Sequence, residues 1–135
     1  MALDHGTRRI GVAVSDELQM IASPVGFIPA EPLNKVIERV QQIIREKEVE
    51  LILIGQPRNM DGTLGPAAEK VNAFIAALQP HITTPIKKWD ERLTSVMANR
   101  ALLQGNVRRA DRKQKVDKMA AAILLQSYLD SRPTD

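Results

Sequence analysis

Four carboxylates stand at three places where chain geometry could gather them. Asp4 closes the short apolar start Met1-Ala2-Leu3 and precedes the turn-forming His5-Gly6-Thr7. Asp90 and Glu91 close the run Pro85-Ile86-Lys87-Lys88-Trp89, and Asp117 opens the apolar stretch Lys118 to Leu129. Acids at the carboxyl ends of strands make poor packing residues, because an isolated carboxylate is costly to bury. Brought together, they repel one another unless a divalent cation lies between them. The pattern points to a metal-dependent enzyme.

The basic residues narrow that chemistry toward phosphates. Arg108, Arg109, Arg112, Lys113, Lys115 and Lys118 crowd one short segment, opposed only by Asp111 and Asp117. Alone such a run is a solvated loop; beside a carboxylate cluster it makes a clamp for a phosphate backbone. Gly6 and Thr7 permit a tight turn beside Asp4, whose backbone N–H groups can meet a phosphate. Arg58, Asn59 and Thr63 belong to a loop just past a buried apolar run, where ligands bind in open α/β sheets. In that loop Asp61 reads as a turn-closing residue. Arg92 follows the Asp90-Glu91 pair, and its planar fork suits a phosphate. Asp117 has a competing explanation, since an acid that begins a helix meets a favourable dipole. Aromatic residues make up only 3% of the chain, so base stacking is not expected to carry recognition. His5 and His81 match no metal-ligand spacing.

These residues need one domain to hold them. At 135 residues the chain is long enough to bury a core without staples, and a single domain over 1–135 is expected, with about 130–135 fraying. The absence of cysteine excludes disulfides, thiolate catalysis and cysteine-ligated zinc. The longest apolar stretches fall far below the roughly 18 residues needed to cross a bilayer. The start before Asp4 lacks the basic region of a signal peptide, so a cytoplasmic address with no membrane partner is expected. A net charge of +3 is too mild to argue for nucleic acid by itself.

Arg9 to Ser15 is rich in β-branched residues and predicts a strand, paired in a hairpin with the start before Asp4. Gly11 in that strand permits close approach of a ligand or another backbone. A third strand is predicted between Met20 and Ile28, with Pro24 marking an edge or a bulge. Leu33, Val36, Ile37, Val40, Ile43 and Ile44 recur at helical spacing after Pro32. The nearly unbroken apolar run Val49 to Gly55 predicts a strand covered on both faces. A helix over Ala67–Gln79, a strand ending at Asp90 and a helix over Thr94–Leu103 follow. Gly105 ends that helix, and a basic loop leads to the last helix. On this last helix Asp117, Ala120, Ala121, Leu124 and Tyr128 share a face whose small residues permit close approach to the sheet. A three-strand antiparallel meander followed by strand–helix alternation gives an α/β fold with one mixed sheet flanked by helices.

With these residues in place, the chain resembles the YqgF family, also called RuvX, over nearly its whole length. The resemblance rests on the segment from Asp4 through Arg8-Arg9-Ile10-Gly11 to Asp16, on Asn59-Met60-Asp61-Gly62-Thr63, on Asp90-Glu91-Arg92-Leu93-Thr94-Ser95, and on Val116-Asp117 opening an alanine-rich helix. Two features depart from it: Gln56, where the family usually has leucine, and a short first strand, which is either weakened or reflects an alternative start.

The resemblance implies a ribonuclease H-like fold with a mixed five-stranded sheet. It implies a nuclease that matures the 5′ end of precursor 16S ribosomal RNA or resolves Holliday junctions. Asp4, Glu91 and Asp117 would be its catalytic, metal-binding acids, with Asp90 as the alternative to Glu91. Two Mg²⁺ or Mn²⁺ ions are implied as cofactors. Thr7, Arg9, Arg58, Asn59, Thr63, Arg92, Arg109, Arg112 and Lys113 would hold the substrate. Precursor ribosomal RNA is the favoured partner and branched DNA the second, and symmetric cleavage of a junction would need a homodimer. Asp4-x-Gly6-Thr7 also resembles the phosphate loop of actin-like and sugar-kinase ATPases. Those proteins bind ATP between two such domains, and this chain has no second Asp-x-Gly-Thr. A non-catalytic nucleic-acid-binding module is the remaining alternative.

Overall fold

The computed structural model describes residues 1–6, 8–58, 61–91 and 109–131; the side chains of 109–119 lie outside the description. Five strands form one mixed sheet: β1 (Ala2–His5), β2 (Arg9–Ser15), β3 (Ala22–Pro29), β4 (Ile52–Gln56) and β5 (Ile86–Asp90), in the order β3-β2-β1-β4-β5. β1, β2 and β3 form the antiparallel meander, while β4 and β5 run parallel to β1. The meander and the mixed sheet are as the pattern predicts.

Three helices cover this sheet among the described residues: α1 (Leu33–Lys47), α2 (Pro66–Leu78) and α3 (Arg109–Ser131). Strand alternation sends Leu3, Ile10, Val12, Ile52 and Ile54 to one face, where they pack with Val36, Val40 and Ile43 of α1 and Val71, Phe74 and Leu78 of α2. The opposite face presents Ala2, Ala13 and Leu53 to Ala121, Ala122, Leu124 and Leu125 of α3. Gln126 ties α3 to the β2–β3 turn: its Nε2 donates to Met20 O at 2.9 Å and its Oε1 accepts from Ala22 N at 2.9 Å.

Several boundaries differ from the sequence expectations. β1 runs through Asp4 to His5, so the acid sits within a strand rather than beyond one. β4 begins at Ile52 and carries Gln56 as its last residue; the pairing with β1 and β5, rather than the apolar run, sets those limits. β3 is an edge strand, and the pairing register shifts where Val12 and Ala13 face Gly26 and Pro24, so Val25 is the extra residue. Pro24 thus marks both an edge and a bulge. The largest correction concerns α3, which begins at Arg109. The expected basic loop is therefore mostly helix, because arginine, lysine, glutamine and alanine are strong helix formers. Asp117 lies inside that helix, so a role as its first-turn dipole partner no longer applies. The expected helix over Thr94–Leu103 lies outside the described residues.

Candidate carboxylate site at the ends of the parallel strands

Asp4 occupies the centre of the sheet on the face covered by α3. Register places Gly11 of β2 opposite it, and the pairing of Leu3 with Ile54 brings Gly55 of β4 to its other side. Both flanking glycines have a packing reason. A Cβ on Gly55 would collide with the Glu91 carboxylate and with a methyl of Leu124. A Cβ on Gly11 would meet Asp4 Cβ and Ala121 Cβ, each at 3.6 Å. The absent side chains leave the space that Glu91 and α3 enter.

Glu91 follows β5 directly and is already helical. Its carboxyl lies over Gly55 and hydrogen-bonds the side chain of Asp4. Burial pushes the Glu91 carboxyl up to about 8, and the negative charges of Asp4 and Asp90 and the bond to Asp4 add to the shift. At neutral pH Glu91 therefore carries the proton that bonds the two acids. Two half-buried carboxyls hydrogen-bonded to each other form a place where a cation can replace the Glu91 proton. The donor set is all oxygen, which suits Mg²⁺ or Mn²⁺ rather than a softer metal. Asp90 contributes charge to the pair.

The other expected site residues divide among three situations. Arg9 stacks over Phe27, its guanidinium carbon 4.2 Å from the ring centroid. Arg58 is exposed and donates two long, local hydrogen bonds, at 3.4 Å to Gly62 O and 3.4 Å to Gln56 Oε1. Thr63 is held by Asp61, whose Oδ1 accepts from its N–H at 3.0 Å and its hydroxyl at 2.6 Å, so Asp61 closes the turn as expected. The backbone of Arg109, Arg112, Lys113 and Asp117 belongs to α3, with Asp117 one turn before Ala121. Thr7, Asn59 and Arg92, with the side chains of those four residues, lie outside the described residues. Among the described residues no group of three or more acidic, histidine or cysteine side chains is placed to hold a metal ion.

Two features were not anticipated. Gln56 is buried, and its Nε2 donates to Asn72 Oδ1 at 2.8 Å, which explains how an amide is accommodated where the family resemblance leads one to expect leucine. Phe27 pairs with Gly11 and lies in the same row as Asp4, bringing an aromatic ring to the site. The hairpin register could have revealed it, since residues paired directly across β1, β2 and β3 share a face. His5 points to the other face and stacks on Phe74 at 4.8 Å between centroids; burial lowers its pKa. A concavity of about 500 Å³ lies at the opposite end of the sheet, lined by Met1, Asp16, Leu51, Tyr128 and Leu129 among others, and includes neither Asp4 nor Glu91.

The strand order, the helices on both faces, Asp4 near the end of the central strand and Glu91 just past β5 are those of a ribonuclease H-like protein of the nuclease class. The family model described as the Holliday junction resolvase RuvX matches residues 1–131, and the chain belongs to that family. A relative from Desulforamulus reducens is 50% identical over 97% of this chain and 96% of its own length. Relatives from Halothermothrix orenii and Clostridium novyi are each 48% identical, over 96% and 97% of this chain and 93% and 97% of theirs. All three carry the name "Putative pre-16S rRNA nuclease". No helix among the described residues is long and apolar enough to cross a membrane.

Proposed function

We propose that the chain is a divalent-metal-dependent nuclease that hydrolyses phosphodiester bonds at the 5′ end of precursor 16S ribosomal RNA. The observation that carries this reading is the Asp4–Glu91 pair, two carboxyls hydrogen-bonded to each other over Gly55. The names of the relatives supply the substrate, and a cytoplasmic location accompanies it. Asp4, Glu91 and Asp117 would hold two Mg²⁺ or Mn²⁺ ions. When bound, such ions act as Lewis acids at the phosphate and lower the pKa of an attacking water.

The chain's own part is positioning and proton control. Glu91 gives up its proton when a cation is bound, so binding strengthens as pH rises toward about 8. Arg9, Arg58 and Arg92 hold phosphates close to the acids, while Arg109, Arg112 and Lys113 on α3 extend the contact along the backbone. Thr7, Asn59 and Thr63 supply neutral donors to the sugar-phosphate chain.

Cleavage by wild-type and Asp4→Asn protein, with Mn²⁺ or with EDTA, tests this on a labelled precursor 16S 5′-leader RNA and on a four-way DNA junction. The expected result is Mn²⁺-dependent cutting of the RNA that Asp4→Asn lowers at least about 10³-fold, since metal-assisted stabilisation is worth several kcal/mol. Undiminished cutting by Asp4→Asn would move the chemistry elsewhere. The description of the family model favours junction resolution as the second reading, and cutting of the junction alone by a homodimer would establish it. Retained binding without cutting of either substrate would mark a non-catalytic binding module.

A further inference from the structure

Phe27 stands out among the exposed apolar residues by its place. Leu18, Met20 and Ile21 are more exposed, but they lie at the β2–β3 turn, at the far end of the hairpin from the acids. Phe27 is 40% exposed on the edge strand, opposite Gly11 and in the row that contains Asp4. A Cβ on Gly11 would lie 3.6 Å from Asp4 Cβ and 3.8 Å from Phe27 Cε1, so only a glycine separates ring and carboxylate on this face. Two strand spacings, about 10 Å, span the distance between their backbones. The exposed Arg9 side chain is drawn over the ring to 4.2 Å and sets a cation beside it. An aromatic face and a guanidinium plane are the two surfaces on which unpaired bases stack, and the same guanidinium can reach a phosphate.

We propose that Phe27 and Arg9 together form a stacking platform for an unpaired base of the RNA, next to the phosphate held at the Asp4–Glu91 pair. This deepens the nuclease reading and rests on it. A base within a duplex is already stacked and cannot lie on the platform, so the site selects single-stranded RNA or a frayed end. The platform also accounts for an exposed aromatic side chain on an edge strand, where it contributes little to the core.

The test is binding in EDTA, where nothing is cut, of a short single-stranded RNA and of the same sequence as a duplex. Phe27→Ala is expected to weaken single-strand binding roughly 5- to 150-fold while leaving duplex affinity within about twofold. Phe27→Leu, which keeps apolar bulk but removes the π-face, should show the same selective loss. Phe27→Trp should retain affinity, and the fluorescence of its introduced indole should be quenched by the single strand only. Thermal unfolding of each variant checks the fold. Wild-type-like single-strand binding by both Phe27→Ala and Phe27→Leu would overturn the platform, as would an equal loss for duplex and single strand. Because these readings need no cleavage, a failure of the metal chemistry, seen as cutting by Asp4→Asn, is recognised separately.

Discussion

Under α1 and α2 the sheet contributes Leu3, Ile10, Val12, Ile52 and Ile54; under α3 the same strands contribute Ala2, Asp4, Gly11, Ala13 and Gly55, with Leu53 as the one bulky apolar side chain among them. Bulky aliphatic side chains on the first face fill the space beneath two amphipathic helices, and nearly all are fully buried. Small side chains on the second face let α3 come close, with Ala121 over Gly11 and Leu124 over Gly55. The room so made is occupied by carboxyls as well as by the helix. Alternation along each strand therefore separates two tasks, since one parity supplies apolar burial and the other supplies clearance and charge. A change on the first face should cost stability without touching the chemistry. A change on the second should alter the chemistry even where its cost to stability is moderate.

Leu78→Ala on α2 is the sharpest test of the first half of this contrast. Leu78 is fully buried, so truncation should cost about 2–5 kcal/mol in denaturant unfolding. The kcat of the folded fraction should stay that of the wild type. A comparable fall in kcat would show that the two faces are mechanically coupled. Gly55→Ala probes the other face. The added methyl should displace the Glu91 carboxyl and crowd Leu124, costing about 1–3 kcal/mol. Cleavage should fall by about 10²-fold, the usual consequence of moving a reacting group by an ångström. Normal activity in Gly55→Ala would mean that the position of Glu91 over Gly55 is not needed.

The third test is a pH dependence confined to the second face. The Glu91 carboxyl is raised from 4.5 to about 8, so across that window the folded protein binds more protons than the unfolded chain. Metal-free stability should consequently decline as pH rises through the window, with the cost fully present above about 8. Glu91→Gln should flatten the profile, and added Mn²⁺ should restore stability most at the alkaline end. A Tm of metal-free wild type that rises across the same window would contradict the hydrogen-bonded arrangement of the two acids.

Much of this fold is legible in residue order because its signals are local. The β-branched run from Arg9 to Ser15, the helical spacing after Pro32 and the stripe Val71, Phe74, Ile75 and Leu78 each express a backbone periodicity. The strands and helices form where those patterns lie. Element ends were less legible, because pairing with a neighbouring strand carries β1 through Asp4 and β4 to Gln56. In α3, helix propensity outweighed the look of a charge run, and the helix starts eight residues before Asp117.

The candidate site follows the same division. Residue types alone single out Asp4, the Asp90-Glu91 pair and Asp117 as acids in need of a reason, and Arg9 as a cation close to Asp4. Sequence cannot say that Glu91 lies over Gly55, nor that Phe27 completes a row with Gly11 and Asp4. Those neighbours are 36 residues apart in one case and 16 and 23 in the other, and strand register alone unites them. The sequence by itself determined the periodicities, the charges and the acids, because these are properties of each residue and its near neighbours. Only the tertiary structure decided which carboxyls hydrogen-bond each other and which ring stands beside them, because burial and contact across strands exist only once the sheet has closed.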